Sequence, residues 1–527
     1  LRIVVLEEIP ESPELRRAWN ELALRMERPE VFYTHEWALA VQRCYGDSRK
    51  ALLFLAYEGE SLVGLAAFAD KNNGSREVEF LTATTADYCD FLSDPARRSE
   101  FVDAVFGELQ TRKIDTVVLN NLPADSCSVA ALSATALNTR YKLHSRSAYL
   151  CARVVLGSAE QRSSLKQATA AKKRLRRNIR ELEKKGKVCV RHDTQWEQIE
   201  PLLQSFNRAH VARFLSTARL SNLIQAQRQN FLCELARELS RSGWVAVSRL
   251  LVGEAPVAWN YGFSFAGTWF WYQPTVESSH EYADFSPGYC LLARIVELAC
   301  DRPEIDLVDL GLGAEEYKDR FATATRETLS CVLNRSFSKH LRVVVRDRAA
   351  AVAKASPHVE NFLRGMISLL DRLRQRRRGA GVWGPLAWGF QRVRRFLFAS
   401  DQIFFFEWTR GSRSRKPSTE LIPLNSDLLG AAAIRYADDP AVINFLMRSA
   451  QRFRYEKARG FAWIAADGTP VHFCWVTNFE GFEIAELQRK LRAPGKDAVI
   501  IFDCFTTAPD RSPFFEQDVA ALADQLS

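Results

Sequence analysis

The sequence predicts an α+β protein of mixed, mostly antiparallel sheets flanked by helices, arranged as repeated units. Three observations lead there. Period-two apolar runs alternate with amphipathic stretches of helical period along most of the chain. One element order (strand, one or two helices, three antiparallel strands, helix, strand) is read twice before residue 345. And 527 residues are too many for one hydrophobic core.

The first unit spans residues 1–155. LRIVVLEEI reads as a strand and ELRRAWNELALRM as an amphipathic helix, and a second helix opens at Thr34 in FYTHEWALAVQRCYG. ALLFLAYEGESLVGLAAFAD is a hairpin turning at Glu58-Gly59. VEFLTATTADYCDFL adds a strand and loop, FVDAVFGELQTRK a helix and IDTVVLNNLP a strand. The second unit, 156–345, starts with a basic helix over 163–186 whose buried stripe is Leu165, Ala168, Leu175, Ile179 and Leu182. Strand VCVRHD and two helices follow. Residues 346–400 read as a basic helical connector broken near Pro357 and at GAGVWGP. Residues 401–527 begin the pattern a third time, from strand DQIFFFEW to a last helix, FFEQDVAALADQLS, with too few strands for a whole unit.

The second unit is organised around 243–321. Val257, Trp259, Tyr261 and Phe263 alternate with small or polar residues, and Gly267 makes a turn. On the return strand Trp269, Trp271 and Gln273 share one face and Phe270 and Tyr272 the other. A helix then opens with Ser286 as N-cap and Pro287 at its first position, on a stripe of Leu291, Leu292, Ile295, Val296 and Leu298. Such an opening exposes unpaired N–H groups and the positive end of the helix dipole, which suits a pyrophosphate; more often a helix start binds only water.

Charge is unevenly placed. Of a formal net charge of +9, eleven Lys or Arg fall between Arg162 and Lys187 against Glu181 and Glu183, and eight Arg with no acidic residue between Arg372 and Arg395. The first run, on the outer face of its helix, is either a solvated surface or a seat for an anion: a nucleotide phosphate, an anionic lipid or polysaccharide, or an RNA backbone. The run lacks interleaved aromatics, which speaks against nucleic acid. WGFQRVRRFLF sets apolar residues beside three arginines, a pattern for peripheral membrane contact or for covering a neighbouring domain. The eleven cysteines stand singly, without CxxC pairs or Cys/His spacing, so no metal site is expected. With no secretory signal or membrane-length apolar run visible, a cytoplasmic location is expected.

FYTHEWALA, ADYCDFL, LPADS, LKQATAAKKRLRRNIRELEKKGKV, FNRAHVARF, APVAWNYGFSFAGTWFWYQPT, SPGYCLLARIVELA and DLVDLGLGAEEYKDRFA occur in order over 1–335. Together they resemble the cellulose-biosynthesis-type, or BioF2-like, acetyltransferases of the GNAT superfamily, distant kin of the FemABX peptidyltransferases. The resemblance implies tandem GNAT-like units followed by the connector and a third, incomplete unit. It also implies N-acyl transfer from an acyl-CoA thioester to an amine acceptor, free or saccharide-linked. The glycine-rich GNAT phosphate signature is absent, and Phe285-Ser286-Pro287-Gly288-Tyr289 stands in its place. FemABX relatives take aminoacyl-tRNA instead, which keeps a tRNA-dependent ligase open as an alternative. A non-catalytic GNAT scaffold is a third.

Direct acyl transfer needs a base for the amine, a donor for the oxyanion and a proton for the departing thiolate. Candidates follow strand LVDLGLG. Asp309 or Glu316 could position or deprotonate the amine, and Tyr317 could protonate the thiolate; equally, Tyr317 and Phe321 could be the buried side of a short helix. His210 is a further base candidate or a structural histidine. Ser286, Gly288, Tyr289 and Lys318 are candidates for the donor phosphates. Asn260, Tyr261, Tyr272 and Gln273 could line the acceptor pocket or belong to the core.

Overall fold

The computed structural model describes residues 1–70, 76–313, 315–355, 421–455, 458–465, 468–484, 489–490, 492, 495 and 498–507. The first half contains β1 (Arg2–Leu6), α1 (Pro13–Leu24), α2 (His35–Tyr45), β2 (Lys50–Glu58), β3 (Ser61–Asp70), β4 (Glu77–Phe80), β5 (Leu92–Ser93), α3 (Arg98–Thr111), β6 (Thr116–Pro123), α4 (Cys127–Asn138) and β7 (Lys142–Val155). Local chemistry accounts for much of it. The side chains of Ser12 and Thr34 accept hydrogen bonds from Leu15 and Trp37 and start α1 and α2. Gly59 takes the positive φ of +58° that the β2–β3 turn requires.

The second half contains α5 (Ala159–Ala171), α6 (Lys173–Glu183), β8 (Val188–Asp193), α7 (Trp196–Leu215), α8 (Ala226–Ser240), β9 (Val245–Val252), β10 (Ala255–Phe265), β11 (Thr268–Val276), α9 (His280–Ala283), α10 (Pro287–Asp301), β12 (Leu307–Asp309), α11 (Glu316–Asp319) and β13 (Ala324–Asn334). The single basic helix expected over 163–186 is two helices. Lys172 leaves helical geometry at ψ 114°, and its ammonium donates to the Arg320 carbonyl and lies 4.0 Å from the Phe321 ring centroid. That tertiary anchor breaks the helix, and the buried stripe slips by a residue. Thr169 is buried where Ala168 is exposed, while Leu175, Ile179 and Leu182 are buried as expected.

Both halves share one 13-stranded mixed sheet in the order β1-β2-β3-β4-β6-β13-β7-β12-β11-β10-β9-β8, with β5 paired to β3. The halves are interlocked. Strand β13, the last of the second half in sequence, sits between β6 and β7 of the first, and β7 pairs antiparallel with β12. The core crosses the same seam. Phe32 and Trp37 of the first half make ring contacts with Phe263, Phe270 and Tyr272 of the second at 5.2–6.5 Å between centroids. Edge-to-face pairs of this kind add about 0.5–1.5 kcal/mol each beyond the area they bury. The other face of the second half packs Ala258, Trp269 and Trp271 under Leu291, Leu292, Ile295 and Val296 of α10 and Leu175 of α6.

Among the described residues, 334–355 belong to a second unit, whose described helix is α12 (Phe337–Ala355). The C-terminal residues belong to the main unit. They contain β14 (Ile422–Pro423), α13 (Ser426–Arg435), α14 (Pro440–Tyr455), β15 (Arg459–Ile464), β16 (Pro470–Asn478), the small ribbon β17 (Glu483–Ile484) and β18 (Arg489–Lys490), and β19 (Val499–Thr506). A four-stranded sheet runs β14-β15-β16-β19. Helix α13 lies so close to α7 that a Cβ on Gly430 would stand 2.2 Å from the Arg208 carbonyl oxygen, and Arg208 pairs with Asp427 at 2.8 Å. The expected strand DQIFFFEW, the WGFQRVRRFLF segment and the final helix fall outside the described residues, as does the connector beyond 355. Among the described residues no helix is long and apolar enough to cross a membrane.

Candidate active site

The site is built where β11 stops pairing with β12. Only Thr268–Phe270 pair with Leu307–Asp309, in parallel, although β11 continues to Val276. A bulge falls at that point. Tyr261 pairs with Gln273 and Phe263 with Phe270, so Trp271 and Tyr272 both stand opposite Gly262. Gly262 is required there, since a Cβ would lie 2.5 Å from the Phe270 carbonyl oxygen. The extra residue also corrects the strict alternation expected for this strand. Gln273 joins Tyr272 on the face of α7 and α8 and leaves Trp269 and Trp271 on the α10 face.

A first-half loop enters this opening. The Asp87 carboxylate lies 2.8 Å from where a Cβ on Gly311 would stand, and the Trp271 carbonyl is 3.4 Å from the same point. Burial and then the charge of Asp309 raise the Asp87 pKa to about 7, with Lys318, Arg228 and the Leu312 N–H pulling the other way. Asp309 is fully engaged. Its Oδ2 accepts from Tyr88 Oη and Arg153 Nε, both at 2.8 Å, and its Oδ1 from the Gly311 N–H at 2.8 Å. Arg153 continues to Glu30 at 3.5 Å, Glu30 to Arg326 at 2.5 Å and Arg326 to Asp125 at 2.8 Å. This largely buried ionic chain ties β7, β12 and β13 together.

The other expected residues divide among several environments. Tyr317 Oη accepts from Trp271 Nε1 at 3.2 Å, and burial raises its pKa, so the phenol keeps its proton. Lys318 is buried, and its ammonium donates to the Leu312 carbonyl at 3.0 Å, which fixes the turn after β12. Glu316 has an 86% exposed side chain paired with Arg320. His210 is buried on α7 and stacked on Phe214 at 4.7 Å. The Gln273 amide donates to its Nε2 at 2.9 Å, so its Nδ1–H donates to Ser221 Oγ at 2.8 Å. Burial lowers its pKa to about 3, and the ring stays neutral. Tyr272 Oη accepts from Arg228 at 2.7 Å and donates to the Thr85 carbonyl, linking this cluster to the Asp87 loop. Tyr261 is a core residue whose hydroxyl donates to the Leu232 carbonyl at 2.7 Å. Asn260 is wholly buried, and among the described residues neither amide atom has a partner.

At the start of α10, Ser286 is not the expected side-chain cap. It adopts a left-handed conformation (φ 47°, ψ 59°), and its Oγ accepts from Arg174 of α6 at 3.1 Å. Gly288 lets the first turn pass Val276, whose Cγ1 would be 2.9 Å from an added Cβ. Tyr289 packs on Phe321 with centroids 5.0 Å apart. The structure therefore brings Asp309, Tyr317 and Lys318 together around β12, and pairs His210 with Gln273. Sequence reasoning missed Asp87, Arg153 and Arg228, and had Arg174 only as one cation of the basic run. A charged residue inside the apolar run CARVVL was the available sign for Arg153; Asp87 stood in a quoted segment with nothing local to mark it.

Residues 169–319 match the acetyltransferase (GNAT) domain family. This stretch is a GNAT-type, acyltransferase-like domain set in the larger mixed sheet. No curated protein matches the chain. Among solved structures, FemX is 9% identical, covering 63% of this chain and 97% of its own at a TM-score of 0.45. L-PGS from Bacillus licheniformis is 11% identical, covering 64% and 98% at 0.41. A tandem GNAT protein of the clavulanic acid biosynthesis pathway is 12% identical, covering 63% and 98% at 0.36.

Proposed function

We propose that this chain is an N-acyltransferase that moves an acyl group directly from a CoA-type thioester to an amine. One observation carries the reading: an Asp87 carboxylate with a pKa of about 7 stands where β11 bulges and parts from β12. Asp87, rather than the saturated Asp309, takes the proton as the amine nitrogen attacks the thioester carbonyl. Backbone N–H groups of β11 beyond the bulge meet the oxyanion. The C–S bond then breaks, and Tyr317, kept protonated by burial, supplies the proton to the thiolate. Asp309, Arg153 and Lys318 position this turn. The donor's pyrophosphate lies at the start of α10 beside Ser286, Gly288, Tyr289 and Arg174. Gln273, oriented by neutral His210, and Tyr272 wall the acceptor side, and Asn260 offers an unpaired amide from β10. The exposed Glu316 has no part in it.

Acyl-CoA incubated with a panel of amines should release free thiol. Asp87→Asn should lower kcat by about 10²–10⁴-fold, the usual range for a lost general base, with the donor KM little changed. Thiol release at the wild-type rate in Asp87→Asn would remove the assigned chemistry. A second reading, an aminoacyl-tRNA-dependent ligase, is favoured by the exposed cations of α6. It calls for tRNA binding that weakens steeply with salt.

A further inference from the structure

The basic run between Arg162 and Lys187 is not uniform in the folded protein. Six of its cations are held by the protein itself. Arg162 reaches Asp306, Lys166 reaches Asp301, Lys184 reaches Glu181 and Lys185 reaches Glu281. Lys172 donates to the Arg320 carbonyl and Arg174 to Ser286 Oγ. Lys173, Arg176, Arg177 and Arg180 are different. All four are exposed, make no ion pair among the described residues, and border one groove of about 390 Å³ together with Glu181.

Their spacing puts like charges three and four residues apart on one face of α6, where they repel. Lys173 and Arg176 also lie at the helix's N-terminal end, whose dipole is already positive. This arrangement costs the free protein stability, and an anion would relieve it. Had the run been only a solubilising surface, the partnered and unpartnered cations would be expected to mix; instead the unpartnered ones, Lys187 alone excepted, gather around a cavity.

We propose that this groove seats the phosphorylated nucleotide end of the acyl donor, specifically a phosphate ester beyond the diphosphate, as on the 3′ position of CoA. The inference rests on the acyl-CoA reading above. Arg174, next in sequence to Lys173, already touches the residue that opens α10, where that reading puts the diphosphate. From residue 173 to 180 the helix rises only ~10 Å, enough for one or two phosphate groups rather than an extended RNA backbone. The lining has no aromatic side chain on which bases could stack.

Calorimetric titration of the full chain with CoA, 3′-dephospho-CoA and unacylated tRNA tests this, using wild type and Arg176→Gln/Arg180→Gln. The wild type should bind CoA about tenfold more tightly than the dephospho form, and the double variant should lose that difference. Thermal unfolding of the ligand-free variant should be at least as high as that of wild type. Equal affinity of wild type for both CoA forms would overturn the groove assignment while leaving the acyl-CoA reading intact. Loss of tRNA binding in the variant with CoA binding unchanged would hand the groove to RNA. No binding of either CoA form would remove the donor reading itself.

Discussion

Asp87 shows how a single residue acquires a protonation behaviour that its sequence neighbours do not give it. A solvated aspartate is ionised well below neutrality and makes a poor base. Here burial and the fixed charge of Asp309 disfavour the anion, and its pKa is raised to about 7. Raised is the direction that matters: the working, deprotonated form is lost below that value and present above it. The kcat/KM profile should therefore rise with pH through about 7, and the profile of Asp87→Asn should be flat across the same range. A wild-type profile without an ionisation between pH 6 and 8 would remove Asp87 from the role. Arg153 and Asp309 work differently. A buried ion pair is no strong source of net stability, because desolvation offsets most of the attraction. Its value lies in fixing the registry of β7 against β12, so that the turn after β12 meets the Asp87 loop.

Among the elements, the β10–β11 pair does most to define the site. Its alternation and its turn at Gly267, with φ +78°, were legible because both depend on local backbone chemistry. The bulge was not, because a residue becomes extra only relative to the strand it pairs with. Gly262 is the testable joint. An alanine there meets the Phe270 carbonyl, and Gly262→Ala should cost about 1–3 kcal/mol in urea unfolding, as overpacking does. It should also lower the transfer rate; wild-type stability and rate together would mean the bulge is not held as described. The left-handed Ser286 belongs to the same class of surprise. Its sequence, serine before proline, has the signature of a side-chain cap, and a contact from Arg174 accompanies a different geometry.

At the scale of the molecule, the two halves are not beads on a string. Removing residues 1–155 would leave β13 without β6 or β7 and β12 without β7, and would remove Phe32 and Trp37 from the shared aromatic core. Residues 156–345 expressed alone should therefore show no cooperative urea transition, and co-expression with 1–155 should restore one. An independently folded second half with a sharp transition would contradict the interlocking. The same architecture explains why the catalytic proposal needs both halves, since Asp87 comes from one and Tyr317 from the other.

By itself the sequence determined the α+β class, the repeated element order, most helix starts and the patch of positive charge. Periodicity, capping and turn geometry act over a few residues and are written in adjacent letters. The tertiary structure alone decided the break at Lys172, the exchange of β13 into the first half, the bulge opposite Gly262 and the approach of Asp87 to Gly311. Each of these depends on a pairing or a desolvation between residues that are not neighbours in the chain, from about ten positions apart at the bulge to hundreds between Asp87 and Gly311.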